Sequence, residues 1–185
     1  MFRTNLYLFR SLKLAAITLG CLLFIWGCQS KPMTPISTAS HVDLDRFMGD
    51  WYVIAHIPTF IEKRAYNAIE HYSRADNGNI DTRFTFHQGS FDGEFKTYEP
   101  TGFVVDSQTN AVWKMQFVWP FKADYRIVHI DDAYEHTIIG RNARDYVWIM
   151  ARSPHISDSA YEALVQKVVE EGYDVTALRK VPHNG

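Results

Sequence analysis

Between Trp51 and Arg152 the chain runs as short apolar or alternating segments about ten residues apart, with turn residues between them. Apolar and polar positions that alternate with period two mark half-buried strands, so this spacing predicts a meandering antiparallel sheet. The segments are Trp51 to His56, Ala68 to Arg74, Ile80 to Phe86, Glu94 to Tyr98, Thr101 to Val105, Val112 to Val118, Tyr125 to Ile130, His136 to Gly140 and Tyr146 to Arg152. That makes nine strands, or eight if Glu94 to Val105 is one strand bent around Pro100. Asp76-Asn77-Gly78, Gly89 with Gly93, Ser107 to Asn110, Pro120 and Arg141-Asn142 supply turn chemistry between them. After Pro154 the period changes: Tyr161, Leu164, Val165, Val168 and Val169 recur at helical spacing. Ser157 or Ser159 can cap this helix, Ser159 with Glu162 fits a capping box, and Gly172 supplies a stop. One amphipathic helix is therefore expected on the outside of the sheet.

Alternation also assigns faces. Ile80, Thr82, Phe84 and Phe86 share one side of their strand while Asp81 and Arg83 take the other; Trp113, Met115 and Phe117 oppose Lys114 and Gln116. A membrane barrel needs its apolar band outside, so a polar outer face instead predicts a water-soluble barrel with a greasy interior. Eight strands leave room for side chains plus one small ligand.

Composition narrows the class. The 185 residues suit one domain, and 46% hydrophobic content with 15% aromatics suffices for a sizeable core or a ring-lined cavity. A formal charge of −2 without a basic stripe argues against nucleic acid. Mean hydropathy of −0.22 excludes a multi-span membrane protein.

The N-terminus reads as a leader. Arg3, Arg10 and Lys13 precede thirteen uncharged residues, Leu14 to Trp26, too few to span a bilayer comfortably. Ile25-Trp26-Gly27-Cys28 resembles the bacterial lipobox, and the resemblance implies cleavage after Gly27 and lipidation of Cys28. Thr18-Leu19-Gly20-Cys21 is a poorer box, and an uncleaved anchor helix is the other reading of the run. Cleavage takes the formal charge from −2 to −5 and leaves one cysteine in 158 residues, so no intrachain disulfide can form. Gln29 lacks the acidity that retains lipoproteins in the inner membrane, which points to the outer membrane. The expected organisation is a leader over 1–27, a lipidated N-terminus with a flexible tether over 28–40, and a barrel domain over 41–185. A tether of that composition reaches roughly 20 Å.

Gly49-Asp50-Trp51-Tyr52, Asp124-Tyr125 and the final run Tyr146-Val147-Trp148-Ile149-Met150-Ala151-Arg152 stand in the order and spacing of three sequence blocks. In these the chain resembles the lipocalins, most closely the group holding bacterial lipocalin, apolipoprotein D and plant temperature-induced lipocalins, over about Leu44 to Val181. The resemblance implies an all-β, eight-stranded antiparallel up-and-down β-barrel with one C-terminal α-helix packed outside. It makes Gly49, Trp51, Asp124 and Arg152 structural residues, with Trp51 plugging the closed end beneath the Arg152 guanidinium. Relatives commonly carry Glu where this chain has Val53, and apolipoprotein D presents an Asn where Phe84 stands. Both changes are expected to remove polarity from the interior.

Family position and alternation together make Tyr72, Phe84, Trp113, Met115, Phe117, Tyr125 and Trp148 the candidate cavity lining. The expected ligand is a fatty acid, lysophospholipid or similar hydrophobic small molecule, the expected site is the outer membrane, and no cofactor is implied. A homodimer is left open. At the rim, Phe60 beside Lys63 and Arg64 reads equally as a membrane contact or as a loop folded over the mouth. A catalytic lipocalin and a filled, ligand-free barrel are the competing classes. Catalysis needs a titratable group in the cavity, which alternation supplies only at His129; His129, Asp131, Asp132 and His136 straddle a turn without a metal-ligand motif.

Overall fold

The computed structural model describes residues 34–184. The leader and Cys28 lie outside the described residues. The strands are β1 (Gly49–Ile57), β2 (Ala65–Arg74), β3 (Ile80–Gln88), β4 (Glu94–Tyr98), β5 (Thr101–Val104), β6 (Val112–Val118), β7 (Phe121–Ile130), β8 (His136–Gly140), β9 (Val147–Ala151) and β10 (Arg179–Lys180). From β1 to β9 the successive staves pair antiparallel, and β9 returns to pair with β1, closing a barrel. The closure uses eight staves, because β4 and β5 are the two halves of one strand broken at Glu99-Pro100, both pairing with β3. Proline cannot donate to a ladder, so the break falls there. β10 adds a short edge to β1, with Ala55 opposite Lys180.

Inward side chains of the barrel form one core, which includes Val53, Ala68, Tyr72, Ile80, Phe86, Trp113, Ile127 and Met150. A second core lies outside β1, β8 and β9. There α2 (Asp158–Glu170) buries Leu164 and Val168 against Ile54, Ile138 and Ile149. These three strands are covered on both faces, which explains their nearly continuous apolar sequence. Ser157, not the Ser159 box, caps α2: its hydroxyl accepts from the Ala160 amide at 3.1 Å. Gly172, at φ +83°, ends the turn that follows.

Two further departures concern the N-terminal side. The stretch expected to be a free tether to Ser40 is already docked at Ile36, which is buried in the second core. The Ile36 amide donates to the Asn142 side chain at 3.0 Å, Ala39 to the Ile127 carbonyl at 2.9 Å and Val42 to the Thr109 carbonyl at 2.7 Å. A short helix, α1 (Leu44–Phe47), follows, capped by the Asp43 carboxylate. Four residues are too few to carry a periodic signal.

α1 seals the barrel. Phe47 is fully buried with its ring 5.2 Å from that of Trp51, whose indole N–H donates to the Phe47 carbonyl at 2.8 Å. The Arg152 guanidinium sits 3.8 Å over the Trp51 ring and donates to the carbonyls of Arg46, Phe47, Met48 and Asp50. Helix C-terminal carbonyls have no partners of their own, and a planar fork of N–H donors satisfies several at once. Gly49 has φ +94°, and a β-carbon there would lie 3.4 Å from Arg152 Nη1. The left-handed backbone therefore requires glycine here, while the guanidinium would meet a β-carbon only at ordinary contact distance.

Candidate functional site

Strand directions put the loops 58–64, 89–93, 119–120 and 141–146 at the end opposite Trp51. A cavity of about 260 Å³ opens there, lined by Phe84, Pro100, Met115, Phe117, Ala123, Tyr125 and Trp148, with Phe60, Ile61, Val118, Arg141 and Tyr146 around its mouth. Five of the seven residues expected to line a cavity are thus brought together: Phe84, Met115, Tyr125 and Trp148 in its walls, and Phe117, half exposed, at the rim. Tyr72 and Trp113 are not in the lining. Both are fully buried beneath it, where Trp113 packs 5.6 Å from Phe47 and its N–H donates to the Asn110 carbonyl at 2.7 Å. Alternation places a side chain on the inner face but not at a height along the axis, and these two stand too near the closed end. A column of rings, Phe47, Trp113, Tyr125 and Trp148, climbs from plug to cavity with centroids 5.6, 5.8 and 6.3 Å apart.

The cavity is less uniformly apolar than expected. Glu70 and Glu62, both buried, contribute to its wall. Glu70 follows Ala68 and precedes Tyr72 on the inner face of β2, so alternation alone could have found it. Its carboxyl accepts a hydrogen bond from the Tyr72 hydroxyl, which also meets the Tyr125 hydroxyl. Burial pushes the Glu70 carboxyl up to about 7; the Tyr72 hydrogen bond works against this and the nearby Glu62 charge works with it. Burial likewise holds both tyrosines well above their ordinary range, so they remain neutral donors. Glu62 is held by Thr59, whose amide donates at 3.0 Å and whose hydroxyl donates to the second oxygen. His56 Nδ1 lies 3.8 Å from Glu62 Oε1, and burial pushes this imidazole down to about 4, leaving it neutral at physiological pH.

His129, the one titratable group expected inside, is elsewhere. A bulge between Ile127 and His129 breaks the alternation of β7, and His129 lies half-buried in an outer hollow with Ala39, Asp131 and Tyr134. Asp131 is occupied with its own turn, accepting from the Glu135 and His136 amides and from His136 Nδ1 at 2.7 Å. Among the described residues, no group of three or more His, Cys, Asp or Glu is placed to hold a metal ion. Asp124 ties strands at the mouth, pairing with Arg126 at 3.0 Å and accepting from the Asn142 amide at 3.0 Å.

Comparison with known proteins agrees with this architecture. The chain is 30% identical over 152 residues to temperature-induced lipocalin-1 of Arabidopsis thaliana, covering 77% of this chain and 80% of the relative. It is 26% identical over 176 residues to the outer membrane lipoprotein Blc of Escherichia coli, covering 95% and 99%. Among solved structures, the cockroach allergen Per a 4 superposes with a TM-score of 0.62 at 18% identity, over 80% of this chain and 94% of that one. Residues 42–183 match the lipocalin-like domain profile, and with a closed barrel of eight staves, its helix and its plugged end, the chain belongs to the lipocalin family.

Proposed function

We propose that this protein is a lipid-anchored outer-membrane lipocalin that holds a single-chain amphiphile, a fatty acid or lysophospholipid, in its barrel. The observation that carries this reading is the cavity: about 260 Å³, walled by Phe84, Met115, Tyr125 and Trp148, and open at one end. Drug-sized sites occupy roughly 300–1,000 Å³, so this narrow slot suits one flexible chain better than a rigid ring system. A C16 chain gains on the order of 12 kcal/mol gross on burial, much of it offset by ordering and association. Glu70 places a carboxyl in the cavity wall with one oxygen accepting from the Tyr72 hydroxyl, which leaves the other to meet the ligand's polar atoms. The anchor rests on the Cys28 box and on the outer membrane lipoproteins among the relatives. The test is a tryptophan fluorescence titration of delipidated protein, with Trp148 as reporter, using a long-chain fatty acid and a lysophospholipid. Saturable binding at micromolar concentration or tighter is expected, abolished by Met115→Glu. No saturable change up to the solubility limit removes the reading in favour of a filled barrel.

A further inference from the structure

Eight large apolar side chains stand exposed among the described residues, and five of them sit around the cavity mouth: Phe60 (81%), Phe117 (49%), Val118 (65%), Trp119 (81%) and Phe121 (75%). Trp119 and Phe121 form the tip of the β6–β7 turn; Phe60 caps the facing loop between β1 and β2. Folding gains nothing from leaving two-ring and one-ring side chains in water at adjacent tips, and patches of this kind mark interaction sites.

The charges at the same end have one predominant sign. The loops around the mouth carry Lys63, Arg64, Arg141 and Arg144 against Glu62, Asp92 and Asp145; of these acids Glu62 is buried and Asp145 is 3.3 Å from Arg141, while Asp124, also at the mouth, is paired with Arg126. The chain as a whole is acidic, so this excess of cations is local. Protruding Trp and Phe ringed by Lys and Arg are the composition of a segment that enters the headgroup region of an anionic bilayer.

The course of the N-terminal segment gives a second, independent argument. The Ile36 amide is fixed to Asn142 in a mouth loop, and the chain then runs along the barrel to Val42 near the closed end. Cys28 is eight residues before Ile36. A lipid carried on Cys28 would thus join the described domain through Ile36, at its mouth end.

We propose that the ring of Phe60, Trp119 and Phe121 with Lys63 and Arg64 is a bilayer-docking surface, which seats the cavity mouth in the interface of an anionic membrane so that a single-chain lipid passes between membrane and barrel without crossing water. The proposal takes its orientation argument from the anchor reading and its chemistry from the rim alone.

The experiment uses the full protein as matured by the cell, in vesicles of phosphatidylethanolamine and phosphatidylglycerol. With Cys21 removed with the leader and Cys28 acylated, an environment-sensitive dye attached at Phe60→Cys or at Asp106→Cys reports one end each. The Phe60→Cys label should shift to the blue and be quenched by lipids brominated on the acyl chain, at least fivefold more than the Asp106→Cys label. Trp119→Ser with Phe121→Ser should abolish that difference while circular dichroism and thermal unfolding stay unchanged, and added salt should weaken it. A silent Phe60→Cys label on acylated protein overturns the inference, as does equal quenching at both ends. A blue shift that grows with protein density without brominated lipid assigns the surface to a second copy of the chain and also overturns it. Mass spectrometry of the same sample separates these results from failure of the anchor: no acyl mass on Cys28 removes the anchor reading instead.

Discussion

The two ends of the barrel are built from the same residue types to opposite purposes. At the closed end Phe47, Trp51, Tyr72 and Trp113 are fully buried, their polar atoms are satisfied, and Arg152 locks the plug to four carbonyls. Around it the β2–β3, β5–β6 and β7–β8 turns carry Asp76, Asp106, Asp131, Asp132 and Glu135 and no lysine or arginine, and the cations of this end, Arg46, Arg74 and Arg152, are each engaged with the protein. At the open end Phe60, Trp119 and Phe121 face solvent, cations exceed acids, and the space between is left unfilled. Aromatic content is therefore no guide to stability by itself. Where rings meet rings they hold the fold; where they meet water they wait for a partner.

That contrast can be broken by substitution. Trp51→Ala should cost about 3–5 kcal/mol, a large part of a domain's stability, measured by denaturant unfolding. Arg152→Lys should cost about 1–3 kcal/mol, since an ammonium cannot serve the same carbonyls as the guanidinium fork. At the other end Trp119→Ser should change stability by no more than about 0.5 kcal/mol.

Much of this was legible in the sequence. The order of strands, the bend at Pro100 and the outer helix follow from alternation and turn chemistry, because each signal is local. The height of a residue along the axis is not local, and so Tyr72 and Trp113 were expected in the lining but lie beneath it. His129 was misplaced by a bulge, which no single-residue pattern announces. Glu70 is legible by alternation on the inner face of β2, whereas Val53 and Phe84 point to an apolar interior because they report only their own positions.

Glu70 sharpens the comparison from between the two ends. Its folded carboxyl keeps its proton to about pH 7, whereas the unfolded one releases it near 4.5. Between those values the native state holds the extra proton, so this contribution to stability is full below 4.5 and is lost as pH rises through 7. His56 acts in the opposite sense: its stabilising contribution is present above 6.5 and lost as pH falls towards 4. The two slopes largely cancel in the wild type. Glu70→Gln should unmask the His56 slope, and the stability difference between variant and wild type should move by roughly 3 kcal/mol in favour of the variant from pH 4.5 to above 7. Thermal unfolding across that range checks it; a pH-independent difference would place Glu70 in contact with water.

The most direct test of the central claim, that the open end holds a single-chain lipid, is native mass spectrometry of protein purified from its own membrane, with the released lipids identified. One single-chain amphiphile per barrel is predicted, lost in Met115→Glu and retained in Trp119→Ser. A barrel that flies empty in every preparation, from protein whose fold is intact, would contradict it.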